Sequence, residues 1–273
     1  MRLYSSLFYG ILGKMKEGGI PMKIAVITGA SSGMGREFVY ALDKEEDFDE
    51  LWVIARREQR LEELKSKCRA RVRPLVLDLQ KRESLSVYRQ LLEAEQPEIA
   101  VLVNAAGFGL FGVFEEMELD RQLDIIDLNA RALTGMCYLS VPYMRRGSRI
   151  YNMGSMSSWQ PVPYINVYGA SKAYVLSFSR SLGVELKDQG IRVMAVCPGW
   201  ITTEFFEHAV HDDTIRYYNR FYPPEQVIEK ALKDMKKGRD VSVLGLPENV
   251  QVQLVKHLPT ATVMKTWCRQ QGK

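Results

Sequence analysis

The sequence predicts an α/β protein: a single doubly wound domain with a mostly parallel seven-stranded sheet. Three observations carry that expectation. Short apolar runs alternate with helix-length stretches, several runs are apolar at every position, and the first is followed at once by a glycine-rich turn. A run apolar throughout suits a parallel strand covered on both faces, and parallel neighbours need the crossovers that the intervening stretches supply. Strands are expected at residues 24–28, 51–55, 72–77, 99–103, 149–153, 191–197 and 241–244. Helices are expected at residues 35–43, 57–68, 84–95, 119–144 and 167–189, in strict alternation with the strands. This order generates a doubly wound sheet.

Composition narrows the function classes. With 273 residues, 46% hydrophobic and 26% charged, the chain is neither disordered nor fibrous. Its net charge of +4 is not concentrated: in residues 56–67 and 225–240 Lys and Arg interleave with Asp and Glu, as on solvated helix faces, so no nucleic-acid partner is expected. Cys68, Cys137, Cys197 and Cys268 are widely spaced, which argues against a disulfide framework or zinc site and for a reducing cytoplasm. His208 and His211 lack a supporting Cys or His cluster, so they are read as surface residues and no metal is expected.

Residues 1–21 form an N-terminal extension, and residues 22–273 the domain proper. The extension carries a helical apolar stripe (Leu3, Leu7, Phe8, Ile11, Leu12, Met15) flanked by Arg2, Lys14 and Lys16, a pattern suited to a membrane surface. The competing reading is that translation begins at Met22, since codons for Glu17-Gly18-Gly19 can spell a bacterial ribosome-binding sequence. No stretch approaches the roughly 20 apolar residues of a membrane span.

Chemistry is concentrated in three places. In Thr28-Gly29-Ala30-Ser31-Ser32-Gly33-Met34-Gly35 the glycines let the backbone turn sharply and approach a pyrophosphate at the N-terminus of the next helix. The second strand ends in Arg56-Arg57, with no carboxylate there for ribose hydroxyls. Two guanidinium groups suit a 2′-phosphate, which favours NADP(H) over NAD(H). Finally, Tyr168 and Lys172 are four apart, on one face of a helix, with Ser155 upstream. An ammonium beside a phenol is expected to lower its pKa and make Tyr168 a usable acid and base.

These motifs, in this order from about residue 23 to 245, resemble the short-chain dehydrogenase/reductase family. The turn at Thr28 to Gly35 is similar to the family's cofactor turn. Asp78, followed by Leu79, is similar to its adenine-contacting site, and Asn104-Ala105-Ala106-Gly107 to its Asn-Asn-Ala-Gly motif. The resemblance implies a Rossmann-type fold, hydride transfer between NADP(H) and a carbonyl or secondary alcohol, and a homodimer or homotetramer. It assigns Ser155 to hold the substrate oxygen and Tyr168 to exchange the proton. Lys172 would bind the nicotinamide ribose, and Asn129 would position a relay water. Pro198, Gly199, Ile201 and Thr203 would lie beside the nicotinamide. Gly154 stands where many members carry serine.

The segment 200–222 matches the family's variable lid. It holds Trp200, Phe205, Phe206, Tyr217, Tyr218, Phe221 and Tyr222, against a chain average of 10% aromatic residues. With Phe108, Phe111, Met156 and Trp159 they predict a wall for a bulky apolar ligand such as a steroid, bile acid or acyl chain. The alternative is that these rings only pack two lid helices onto the sheet. Within one class, a 3-oxoacyl-type reductase competes with a hydroxysteroid dehydrogenase; in another, a non-catalytic NADP-binding redox sensor is the rival. Helix 167–189 is apolar on more than one face, as at an oligomer interface. Residues from Pro247 onward are left open between pocket cover, subunit contact and membrane contact.

Overall fold

The computed structural model describes residues 21–209 and 214–273. The expectations for the N-terminal stripe, for His211 and for the side chain of His208 lie outside what is described. The chain runs β1 (Lys23–Thr28), α1 (Gly33–Glu45), β2 (Glu50–Ala55), α2 (Glu58–Glu62), β3 (Arg71–Val76), α3 (Arg82–Glu95) and β4 (Glu98–Asn104). It continues through α4 (Leu119–Ile126), α5 (Leu133–Ser140), β5 (Arg149–Met153), α6 (Asn166–Glu185) and β6 (Arg192–Val196). After β6 come β7 (Trp200–Ile201), α7 (Phe205–Ala209), β8 (Phe221–Tyr222), α8 (Pro224–Lys236), β9 (Val241–Ser242), α9 (Leu246–His257) and α10 (Thr260–Gln270).

Seven strands form one sheet in the order β3-β2-β1-β4-β5-β6-β9, and every pairing is parallel. Successive side chains of a strand point to opposite faces. Ala25 and Ile27 accordingly join the core on one face, with Phe38 and Ile228, while Ile24 and Val26 join the other, with Tyr88 and Met136. Both faces are covered, which is why these strands read as continuous apolar runs. The order reverses between β1 and β4, so their C-terminal ends splay and leave a crevice, the usual ligand position in such sheets.

Two expected helices are broken, each for a local reason. The stretch 57–68 holds only α2 and a 3-10 turn, Glu63–Ser66, before the chain must enter β3. The stretch 119–144 is interrupted by a π-helical turn, Asp127–Ala132, between α4 and α5. That turn carries Asn129, which is buried and bonded across to the Phe108 backbone. A π turn of this kind is a common accompaniment of a functional site. The last strand is shorter than expected, because β9 pairs with β6 over two residues before the chain turns at Gly245 (φ +94°).

A buried polar cluster ties the middle of the sheet to its helices. Asn152 on β5 donates to Ser179 on α6 (3.0 Å) and accepts from Asn104 on β4 (2.8 Å). Removing one member leaves a desolvated amide without its partner. Asn152→Ala is expected to cost about 2–4 kcal/mol, from the orphaned Asn104 amide and the void together. Urea denaturation of the variant beside the unaltered protein measures it.

Candidate active site

The crevice floor is the turn between β1 and α1. Gly29 and Gly33 have φ of +68° and +50°, and Gly35 packs so tightly that a Cβ there would lie 2.3 Å from the Gly29 carbonyl oxygen. A Cβ on Gly29 would meet Ala106 N at 2.7 Å and Ala105 at 2.8 Å, so the loop after β4 lies directly on this turn. Thr28 fastens the two by accepting a hydrogen bond from Ala106 N at 3.0 Å. Asn104 turns its side chain into the core, bonding Asn152 and Cys137, and Leu79 is buried with its carbonyl held by Arg131. Neither side chain lines the cavity. Asp78 is half-buried at the end of β3, where it accepts from Gln80 N.

Ser155, Tyr168 and Lys172 converge at the inner end of the crevice. Ser155 caps a short turn, Met156–Trp159, by accepting from Ser157 N (3.2 Å), and its hydroxyl is hydrogen-bonded with Tyr168. The Lys172 ammonium donates to the Met153 carbonyl at 2.7 Å and lies 5.5 Å from the Tyr168 ring centre. Gly154 sits against Cys197, where a Cβ would be 2.7 Å from the sulfur, so an added side chain would be crowded. Asn129 is fully engaged as a donor, to the Phe108 carbonyl (2.9 Å) and to Ser171 (3.0 Å), and its Oδ1 accepts from Phe108 N. It holds the loop against the first turns of α6, leaving one lone pair of Oδ1 for a water.

The Tyr168 pKa is raised and not lowered as expected. Burial pushes the phenol up to about 12, and the Ser155 hydrogen bond only partly offsets it. Burial also brings Lys172 down to about 8. The same desolvation disfavours both charged forms, and the ammonium is turned to a backbone carbonyl rather than to the phenol oxygen. Tyr168 is thus a neutral phenol at pH 7, and Lys172 is still mostly charged.

At the opposite end of the crevice, Arg57 binds the turn itself, donating to Ser31 (3.2 and 3.0 Å) and Ser32 (2.6 Å). Arg57 and Arg60 also pair with Glu204, from the segment after β7. Burial acts to raise the Glu204 carboxyl, but hydrogen bonds from Arg60 and Arg57 outweigh it and hold the group below the usual carboxylate range. Arg56 points differently and is exposed. Arg60 and Glu204 were not singled out in the sequence. Arg60 is three residues from Arg57 and so on the same helical side, a signal that was available; Glu204 meets them across 144 residues, which no local pattern reveals.

A cavity of about 450 Å³ opens between the crevice and the C-terminal helices. Met34, Ser155, Tyr168, Lys172, Pro198, Gly199, Ile201 and Thr203 line it, as do Met156, Trp200, Phe205 and Phe206. Phe108 and Trp159 do not. The Phe108 ring lies under Arg121 (5.0 Å), and Trp159 packs behind Met156 between Arg180 and Lys256. The lid holds one short helix, α7, among its described residues instead of two, and β7 pairs with β8 to close its base. Its rings pack on one another and also line the cavity: Phe206 touches Phe111, Trp200, Tyr218 and Phe221, while Phe205 lies 5.6 Å from Tyr168 at the cavity wall.

Of the three roles expected for the C-terminus, pocket cover is the one whose contacts are seen: Leu254 on α9, Leu258 between the helices, and Val263 and Trp267 on α10 form the far wall of the cavity. Trp267 is anchored by donating to the Pro163 carbonyl (3.0 Å), and Gln271 accepts from Arg216 N and Tyr217 N (2.9 Å each). Among the described residues, no group of carboxylates, histidines and cysteines is placed to hold a metal ion, and no helix is long and apolar enough to cross a membrane.

Comparison with known proteins agrees with this geometry. The family profile described as short chain dehydrogenase matches residues 23–214. Sulfoacetaldehyde reductase 2 of Chromohalobacter salexigens is 36% identical over 192 residues, 67% of this chain and 74% of that protein. The 11-beta-hydroxysteroid dehydrogenase A of Sesamum indicum is 31% identical over 234 residues, 84% of this chain and 64% of that protein. A short-chain dehydrogenase from Sphingobium yanoikuyae, solved in complex with NADPH, superposes with a TM-score of 0.73 at 27% identity, covering 89% of this chain and 98% of the other.

The turn's packing yields a direct test. Gly35→Ala forces a methyl against the Gly29 carbonyl and is expected to destabilise the protein by about 1–3 kcal/mol, as other overpacked sites do. Thermal denaturation checks it.

Proposed function

Because the chain belongs to the short-chain dehydrogenase/reductase family, oxidoreductases acting on alcohol and ketone groups, we propose that it is an NADP(H)-dependent reductase of a bulky apolar ketone. The observation that carries this reading is the convergence of Ser155, Tyr168 and Lys172 on the wall of a cavity otherwise largely apolar. The site suits the cofactor in three ways. A glycine turn lets backbone approach a pyrophosphate, Arg57 and Arg60 lie where the second strand ends, and the buried Ser157 hydroxyl on the cavity wall has no partner among the described residues.

When bound, the nicotinamide supplies the hydride; the protein orients the reactants and moves a proton. Ser155 donates a hydrogen bond to the substrate oxygen, and Tyr168, a neutral phenol at pH 7, delivers its proton there as charge develops. Lys172 holds positive charge close to that phenol, and Asn129 ties the loop at Phe108 to the helix that carries the lysine. Lid and C-terminal helices together exclude water.

Substrate size and polarity follow from the walls. Phe111, Val162, Trp200, Phe206, Leu258 and Trp267 are large and apolar, which supports a steroid, bile acid or long acyl chain. Lys172 is the one cation among the described lining residues, and it is bonded to Met153. That setting is poorly suited to a small sulfonate. For assembly, Tyr138 (75% exposed), Tyr174 and Val184 (75%), with Ile126 nearby, present apolar surface on α4, α5 and α6, which supports association of two copies through these helices.

Three outcomes are expected. Cofactor oxidation should run faster with NADPH than NADH against steroid ketones or 3-oxoacyl thioesters, and small ketones should be poor; silence across this panel despite tight NADPH binding would instead support a sensor. Tyr168→Phe should lower turnover by about 10²–10⁴-fold while cofactor affinity, read by fluorescence titration, stays within a few-fold. In a pH profile, ketone reduction should decline as pH rises through about 8, where Lys172 loses its charge, because Tyr168 at about 12 remains protonated throughout. A profile flat to pH 10 would remove Lys172 from this role.

A further inference from the structure

Glu204 joins the arginines that follow the second strand to the lid segment. Its Oε2 lies 3.0 Å from Arg57 Nη1 and 2.6 Å from Arg60 Nη1, and its Oε1 lies 2.7 Å from Arg60 Nη1. The other Arg57 donors, Nε and Nη2, are already directed to Ser31 and Ser32. The guanidinium group that reads the turn is thus engaged through all three nitrogens, and its anionic partner among the described residues comes from the lid. A carboxylate and a phosphate present similar oxygens to a guanidinium fork, so the two compete for the same donors.

The neighbours of Glu204 make the contact consequential. Thr203 packs against Gly33 of the turn, and Phe205 against the ring of Tyr168. All three ion-pair partners are partly open to solvent, with side-chain exposures of 40%, 41% and 28% for Arg57, Arg60 and Glu204. Water and ligand can therefore reach the pair. A pair that served stability alone would contribute little in such a setting.

We propose that Glu204 is an intramolecular latch: it pairs with Arg57 and Arg60, and a 2′-phosphate displaces it, freeing residues 203–206 beside Tyr168. The inference rests on the NADP(H) reading above. A dinucleotide without the 2′-phosphate leaves the latch closed. Glu204 is then a determinant of cofactor discrimination and not merely a surface acid, and its presence lowers affinity for the phosphorylated ligand in exchange for coupling that ligand to the lid.

The test uses fragments that contain no nicotinamide. Calorimetric titration with adenosine 2′,5′-bisphosphate and with adenosine 5′-monophosphate compares the full-length protein, Glu204→Gln and the Arg57→Ala/Arg60→Ala pair, with Glu204→Ala as a second removal of the charge. Glu204→Gln and Glu204→Ala are expected to bind the bisphosphate about 5–20-fold more tightly and the monophosphate within about twofold of the unaltered protein. Hydrogen exchange of the amides of residues 203–206 should rise on adding bisphosphate, and not on adding monophosphate. The latch is overturned if both Glu204 variants bind the bisphosphate no better than the unaltered protein while the arginine pair binds it much worse. If the unaltered protein shows no preference for the bisphosphate and the arginine pair loses nothing, the NADP(H) reading fails and the latch with it.

Discussion

Everything at this site depends on how closely two backbone segments approach at the reversal of strand order. The turn after β1 and the loop after β4 touch where Gly29 meets Ala105 and Ala106, with no room for a side chain between them. That contact sets the floor of the crevice. It also sets the depth at which the loop of residues 105–108 runs, and hence where Asn129 must lie to bond Phe108. The π turn at Asp127–Ala132 carries the amide that makes this bond.

Burial is the second organising influence, and it acts on both ionisable groups at the inner end of the crevice, Tyr168 and Lys172, in the same sense. Taking a phenol and an ammonium out of water disfavours phenolate and ammonium alike, so the pair rests as a neutral acid beside a cation that is easily lost. Such a resting state suits reduction, which consumes a proton at the substrate oxygen. The opposite direction needs the phenolate, which in this setting requires positive charge to be brought close. Proximity of lysine to tyrosine along a helix is therefore insufficient to state the sign of the pKa shift. The direction is decided by how much water each group has lost and by which oxygen the ammonium faces.

The aromatic lid illustrates how one composition can serve two ends. Rings in residues 200–222 pack on one another around Phe206 and simultaneously wall the cavity through Trp200 and Phe205. The C-terminal helices complete that wall, since Trp267 and Gln271 fasten α10 to Pro163 and to the chain leaving the lid. The cavity wall is thus shared between two segments far apart in sequence.

Strand-and-helix alternation, the glycine turn, and the helical spacing of Tyr168 and Lys172 were legible in the sequence because each is a local property: periodicity, allowed backbone angles, and residues sharing a helix face. Those features determined the fold class and the principal candidate residues. Tertiary structure alone decided that Phe108 and Trp159 face away from the cavity, that Arg60 and Glu204 join Arg57, and that residues 254–267 close the pocket. It also reversed the expected direction of the Tyr168 shift. The physical reason is common to these cases: side-chain orientation, pairing across long sequence separations and loss of solvent arise only when distant segments pack, and none has a signature in the order of neighbouring residues.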